Sequence, residues 1–467
     1  MRKKNITLEK LTVLDYAAEG KALSRVDGKV IFIEGAVPGD VVDVRLTKNK
    51  KDWAEGKVER IHHYSEDRVA PFCEHFGVCG GCKWQMLPYE KQLQYKQQEV
   101  EQHLKRIGKV VLPDIEPIMG CAETRFYRNK LEFTASNRRY LLPSEVQAGE
   151  EIPAENAIGF HVPRIFDKVI DIYSCHLMHE PANIIRNTIR DYAAEHGLSY
   201  YDIRGHHGFL RTVIVRVLTT GEVMVNIAFG QEDKPARKAL LDHLLKQVPA
   251  ITTLLYTINT KWNDSLLDQE PKVYHGKGYA LETLEDFQFK ISPKSFFQTN
   301  TRQGERLYQI TREFAELSGS ETVYDLYCGT GSIGIFLSRQ AAKIIGVEVV
   351  ADAIEDAKEN AALNNIQHAQ FFAGDVIDIC NDEFFSKHGR PDVIITDPPR
   401  AGMHEKLVQK ILEMEAPTVV YVSCNPATQA RDLNLLDARY TVTRVRPVDM
   451  FPHTHHIENV VQLKLRK

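Results

Sequence analysis

From Ser292 to the C-terminus, short apolar runs alternate with helical patterns, and no other feature of this 467-residue chain restricts its fold as much. A helix pattern carrying Leu307, Ile310, Phe314 and Leu317 precedes a strand pattern over 322–326, and helix and strand then alternate. Parallel strands need long crossovers, which helices supply, so this alternation predicts a doubly wound α/β sheet. The turn Asp325-Leu326-Tyr327-Cys328-Gly329-Thr330-Gly331 leaves the first strand at its carboxyl end. Open α/β sheets bind ligands there, and the glycines allow close backbone approach. The next strand, 343–347, ends in Glu348, a carboxylate suited to ribose hydroxyls. A nucleoside cofactor is expected, and the continuation to Gly334 keeps a dinucleotide among the candidates.

Length predicts about three domains. Residues 1–65 read as a small OB-like β-barrel of five short strands, with Lys29–Ile33 and Val41–Leu46 among them and a basic turn at Lys48, Lys50 and Lys51. Residues 66–286 read as a mixed α+β central domain. Helical periodicity runs from Leu87 to Ile107, with Tyr89, Leu93, Val100, Leu104 and Ile107 on one face. A second helix follows Pro181, with Ile184, Ile185, Ile189 and Tyr192 inward, and strands flank the turn at 219–221. Residues 287–467 form the doubly wound domain, on which segment 87–114 is expected to pack.

With 59 Lys and Arg against 63 Asp and Glu, the net charge of −4 does not announce a nucleic-acid binder, so such a partner would need a local basic face. No apolar run reaches 18 residues, so no membrane span is expected. Met1-Arg2-Lys3-Lys4 leads into no apolar h-region, which predicts a cytoplasmic protein with reduced thiols. No obligate protein partner is evident. Eight cysteines are then ligands, nucleophiles or buried apolar residues. Cys73, Cys79 and Cys82, with Cys175 downstream, make a four-thiolate set around a glycine hook, and their spacing leaves zinc and an iron–sulfur cluster open. Cys121, Cys328 and Cys380 read as structural.

Apolar strand 419–422 delivers Ser423-Cys424-Asn425-Pro426 to a turn, where Cys424 is either a nucleophile or a buried small residue. Asp397-Pro398-Pro399-Arg400 ends the preceding strand. The stretch from Asp449 to Glu458 holds His453, His455 and His456 in a spacing that fits no hydrolytic zinc motif. Arg125-Phe126-Tyr127-Arg128-Asn129-Lys130 and Arg138-Arg139 read either as a cationic, aromatic surface for RNA, which Arg204, Arg211 and Arg216 could extend, or as an ordinary strand with a charged face.

Taken in order, Asp-Leu-Tyr-Cys-Gly-Thr-Gly, Asp-Pro-Pro-Arg, Ser-Cys-Asn-Pro and Phe-Pro-x-Thr-x-His-x-Glu resemble RNA uracil-5-methyltransferases. Ser295 to Asn300 resembles that family's Phe-x-Gln-x-Asn motif, and residues 1–65 resemble a TRAM domain, so the likeness spans almost the whole chain. The resemblance implies a class I methyltransferase domain that uses S-adenosylmethionine. It implies that Gln298, Tyr327, Glu348 and Asp397 bind that cofactor, with Asp375 near the adenine. Cys424 would be the nucleophile and Glu458 the proton acceptor. It also implies a [4Fe-4S] cluster on Cys73, Cys79, Cys82 and Cys175, and 23S ribosomal RNA as substrate rather than transfer RNA. An RNA cytosine-5-methyltransferase is a weaker fit, because that family places Pro-Cys where this chain has Asp-Pro-Pro-Arg. A non-catalytic iron–sulfur RNA-binding protein would leave Cys424 and Glu458 without a joint purpose, and an NAD-linked redox enzyme remains the third alternative.

Overall fold

The computed structural model describes residues 6–142, 145–146 and 156–467, and three sheets organise it. In the N-terminal sheet, Thr7–Thr12 and Asp15–Ala17 are the two edges, pairing with Val41–Asn49 and Lys21–Val26 respectively. Only Val13 and Leu14 separate them, so one bent strand closes the sheet into a barrel. Counted once, that strand brings the six segments to the five expected. Alternation puts Ala22, Ile31, Ile33, Val42 and Val44 inside.

The central sheet has seven strands, from Lys272–His275 at one edge to Val169–Asp171 at the other. Leu210–Val217 lies in its interior, antiparallel to both Lys130–Ser136 and Val223–Phe229. Val223–Phe229 is buried at every position, so it does not alternate as a one-sided strand would. Helix Ala182–Glu195 buries Ile185, Ile189 and Tyr192 against this sheet, but Ile184 points outward and is 49% exposed. Arg211 and Arg216, expected on an RNA-facing surface, are both buried. Long guanidinium side chains in these strands reach backbone carbonyls instead of solvent.

The C-terminal sheet runs Ala369–Ala373, Lys343–Glu348, Thr322–Leu326, Val393–Thr396, Thr418–Ser423, Glu458–Leu465, Tyr440–Val448. The first five strands are parallel, and Glu458–Leu465 inserts antiparallel to both its neighbours. Chain order reverses between Thr322–Leu326 and Val393–Thr396, and this switch point opens the crevice that doubly wound sheets use for ligands. The hairpin of Ala280–Leu284 and Phe287–Ile291 straddles residue 286, where the sequence suggested a boundary. Its Leu284, Phe287 and Phe289 lie in the same core as Leu307 and Phe336, so it packs with the C-terminal unit.

Helix Tyr89–His103 crosses to the C-terminal unit, where Val100 and Leu104 join Ala430, Leu433 and Val445. Its buried face departs from the apolar stripe read from sequence: Gln92 and Lys96 are buried, and Ile107 is exposed. The reason is Asp449. Lys96 Nζ donates to Asp449 Oδ1 at 2.6 Å and to the Phe451 carbonyl at 3.2 Å, with both side chains of the ion pair fully buried. Tyr89 Oη donates to Asp449 Oδ2 at 2.7 Å, and the Phe451 N–H donates to Oδ1 at 3.0 Å. Removing one partner strands a charge in the interior, so Lys96→Met should cost about 3–5 kcal/mol, whereas Lys96→Met with Asp449→Leu should recover much of it. Denaturant unfolding monitored by circular dichroism measures both, and equal stability of Lys96→Met and the parent would contradict the pair's role.

Candidate active site at the carboxyl edge of the sheet

Glycines and one strained tyrosine shape the first loop. Tyr327 adopts φ 63°, in the left-handed region, as do Gly329 (53°) and Gly331 (74°). A Cβ on Gly331 would lie 2.9 Å from the Phe371 ring, so only glycine lets the loop pack that closely. A non-glycine residue in this region costs of order 1–3 kcal/mol, a strain that concentrates at functional sites. Glu348, at the end of its strand, accepts from the Gly329 N–H at 3.3 Å and the Val350 N–H at 2.9 Å. Beneath the loop, Asp325 is fully buried and accepts from Gly334 N–H at 2.8 Å. Burial, aided by Asp397 and Glu348, pushes its carboxyl up to about 7. Asp375 caps the helix Val376–Ile379 by accepting from the Ile377 N–H.

Gln298 is buried at the opposite wall. Its side chain hydrogen-bonds Tyr308, whose hydroxyl meets Ser332 Oγ at 2.8 Å, and its carbonyl accepts from Asn129 at 2.9 Å. Asn300 caps helix Thr301–Ala315 and donates to the Met450 carbonyl at 3.0 Å, which ties this segment to the loop before Glu458.

The sheet register brings the next residues together. Ser423 pairs with Asn459 and Val448 with Glu458, so Cys424 leaves one strand where Glu458 enters its neighbour. Asp397 follows the strand on the other side of Thr418–Ser423. Asn425 caps helix Pro426–Leu436 and donates to the Arg400 carbonyl at 2.9 Å, which fixes the Asp-Pro-Pro-Arg loop against the cysteine turn. Burial and the neighbouring charges set the protonation of these groups. Burial, then Glu458 and Asp397, pushes the half-buried Cys424 thiol up to about 11, while Arg400 draws it down. Burial and Asp397 hold Glu458 well above the carboxylate range, and burial pushes Asp397 up to about 7. Arg400 carried no role in the sequence reading. Its place in the Asp-Pro-Pro-Arg run was the available signal, since it is the cation nearest a carboxylate pair and a thiol.

Of the three histidines of 453–456, His453 is buried and His455 and His456 are half-buried, and desolvation lowers them to about 4, 3 and 4 in order, so they are neutral near pH 7. They serve packing. The His453 carbonyl accepts from Lys83 and Trp84 N–H at 2.8 and 3.0 Å, and Gly20 of the barrel lies against His455.

Cys73, Cys79, Cys82 and Cys175 line one cavity of about 520 Å³, together with Arg128 and Lys130. Phe296, 70% exposed, and Thr454 also line it, linking it to the two motifs described above. Gly81 N–H donates to Cys79 Sγ at 3.4 Å, and Asn183 Oδ1 accepts from the Cys175 N–H at 2.9 Å. Burial raises all four thiols, and Cys82 is raised further by each of the other three. Among the described residues, no three His, Cys, Asp or Glu are grouped as the ligands of a single metal ion. Cys121, Cys328 and Cys380 are buried.

Known proteins resemble this chain over nearly its whole length. Residues 269–466 match the family described as tRNA (uracil-5-)-methyltransferase, and residues 3–58 match the TRAM domain. A Bacteroides thetaiotaomicron protein named an uncharacterized RNA methyltransferase is 54% identical, covering 96% of this chain and 100% of its own. One of the same description from Porphyromonas gingivalis is 51% identical over 97% of this chain and 99% of its own. The solved tRNA (uracil-54, C5)-methyltransferase of Pyrococcus abyssi, in complex with S-adenosyl-L-homocysteine, is 26% identical. It superimposes with a TM-score of 0.74, covering 97% of this chain and 100% of its own.

A thiol held near 11 is less than one part in a thousand ionised at pH 7, and its thiolate fraction rises about tenfold per pH unit below that value. In the free protein, iodoacetamide should therefore alkylate Cys424 slowly at pH 7 and about a hundredfold faster at pH 9, and Arg400→Ala should slow it at every pH. Peptide mass spectrometry measures the rate. Fast, pH-independent labelling of Cys424 would contradict the electrostatic picture.

Proposed function

Because the chain belongs to the RNA (uracil-5-)-methyltransferase family, whose activity depends on S-adenosylmethionine, we propose that it methylates carbon 5 of a uridine in 23S ribosomal RNA through a covalent adduct on Cys424. The observation that carries this reading is the convergence of Cys424, Glu458 and Asp397 on adjacent strand ends, where both carboxyls raise the thiol and Asp397 raises Glu458.

Carbon 5 of uracil is a weak nucleophile. Attack of the Cys424 thiolate on carbon 6 forms the S–C6 bond and moves the double-bond pair onto the ring as an enolate. Carbon 5 then takes the methyl group, the methyl–sulfonium bond breaks, and S-adenosylhomocysteine leaves. The carbon 5 proton passes to the Glu458 carboxylate, and the returning pair expels the thiolate. Glu458 must lose its proton before it can accept another. Gln298, Tyr327, Glu348 and Asp397 are assigned to the cofactor. A sulfonium charge beside Asp397 favours the ionised carboxylates, so cofactor binding prepares the base. The uracil must leave the RNA stack to reach this point, and exposed Phe296 offers it an aromatic surface.

Domain limits at residues 65 and 286 belong to the same proposal, with the hairpin at the second limit assigned to the catalytic unit. We assign the four cysteines of the cavity to a [4Fe-4S] cluster, supported by the gathering of all four side chains on the lining of one cavity. A cluster held by these four residues would staple the glycine hook to the segment before helix Ala182–Glu195. An enzyme of this kind acts where thiols stay reduced, in the cytoplasm. A second reading, transfer RNA as substrate, is favoured by the name of the superimposable archaeal enzyme.

Protein purified without oxygen should be brown and carry about four irons and four sulfides, with the iron lost in Cys79→Ser. Zinc in place of iron would remove the cluster while leaving the transferase intact. Cys424→Ala should form no covalent complex with RNA. Glu458→Gln should add, methylate and stall, accumulating a methylated protein–RNA adduct on denaturing gels. Sequencing the trapped RNA separates ribosomal from transfer RNA, and normal turnover by Glu458→Gln would overturn the base assignment.

A further inference from the structure

Trp262 is 78% exposed, an unusual position for the largest apolar side chain, yet the loop that carries it is held in place. Arg211, 1% exposed, donates to the carbonyls of Asn259 at 2.7 Å, Lys261 at 2.6 Å and Asn263 at 2.6 Å, and to Asp264 Oδ1 at 3.0 Å. Its guanidinium also lies 4.1 Å from the centre of the Tyr201 ring, and Tyr201 Oη donates to the Lys261 carbonyl. A buried cation thus spends its donors on fixing residues 259–264.

The facing turn is equally constrained. Asp202 Oδ1 accepts from the N–H groups of Arg204 at 2.9 Å and Gly205 at 3.1 Å, and these bonds hold its carboxyl down at about 2. His206 takes φ 54° in that turn, which lays its imidazole against Trp262 with centres 4.9 Å apart and planes within 8°. Beside it, Arg204 covers the Phe166 ring at 5.3 Å, and Phe166 is 63% exposed. The charges are balanced locally: Asp167 lies 2.7 Å from Arg204 and 3.8 Å from Arg138, and Asp202 lies 3.7 Å from Arg138. What the face offers is π surface, held rigid, rather than a field for phosphates.

We propose that Trp262, backed by His206 and flanked by Phe166, is a stacking platform for unpaired bases of the RNA substrate. Unpaired bases are the flat, apolar partners that such rings take without regard to sequence. Strand Lys130–Ser136 runs from Lys130 in the cysteine-lined cavity to Asn137, whose N–H donates to the Tyr201 carbonyl beside the platform. At about 3.3 Å per residue that is a span of about 20 Å between the cavity and the platform, a distance that a few extended nucleotides cover. The inference rests on the RNA-methylation reading and adds a contact that the reading does not require.

The test uses full-length protein in a Trp53→Phe background, leaving Trp262 and buried Trp84 as the tryptophans. Titration with a 12-nucleotide oligoadenylate should quench Trp262 fluorescence saturably, and the same oligomer with abasic sites should not. Trp262→Ala should weaken oligoadenylate binding about 5- to 100-fold, Trp262→Phe should largely restore it, and both should keep the parent melting temperature. Unchanged affinity in Trp262→Ala, or no quenching by oligoadenylate, overturns the platform, the first being what a protein-docking tryptophan would give. Failure of the parent to methylate any cellular RNA would overturn the functional reading instead, and is scored separately from the quenching.

Discussion

The ion pair of Lys96 and Asp449 is the constraint on which the placement of the active site depends. Two charges at zero exposure are tolerable only when their remaining hydrogen-bonding capacity is filled, and here Tyr89, the Phe451 N–H and the Phe451 carbonyl fill it. Fixing Asp449 fixes the loop that follows. Gln92 accepts from the His453 N–H, Tyr127 donates to the Pro452 carbonyl, and Asn300 donates to the Met450 carbonyl. The loop ends at Glu458, so the carboxyl opposite Cys424 is positioned by helix Tyr89–His103, by Tyr127 and by the cap Asn300, from three separate parts of the chain.

The same crevice concentrates carboxyls in the least hospitable surroundings for charge. Asp325 and Asp397, both pushed up to about 7, and Glu458 above its usual range bind protons in the folded chain that the unfolded chain releases. The contribution of the two aspartates to stability is therefore fully present below about pH 4 and is lost as pH rises through about 7, and that of Glu458 has the same sign. At neutral pH these carboxyls are held in surroundings that disfavour their charge, and a cation placed beside them would favour the ionised forms.

What could be read from the sequence was local. The strand ending in Asp325, the glycine turn and the carboxylate closing the next strand are each contained in a dozen residues, and period and turn chemistry describe them. The four cysteines could be gathered as a set because their residue type is rare. The side of helix Tyr89–His103 that faces inward could not, because Gln92 and Lys96 are polar and their partners lie more than 350 residues away. Arg211 and Arg216 failed for the same reason: a cation reads as surface until the carbonyls that receive it are known. Ile184 misled in the other direction, an apolar residue that the helix leaves outside.

The separation of Lys96 from Asp449 by 353 residues also governs how the protein comes into being. During synthesis at about 5–20 residues per second, the lysine would precede its partner by roughly 20–70 seconds. Through that interval the helix has neither the counter-charge for its buried lysine nor the helix at 426–436 on which it packs. Barrel and central sheet close their hydrogen-bond ladders within residues 7–63 and 130–275, and so can settle as they emerge. Residues 89–108 must wait. The helix is then captured by segments more than 300 residues downstream of it, and a chain stopped short of residue 426 carries a helix with nowhere to dock.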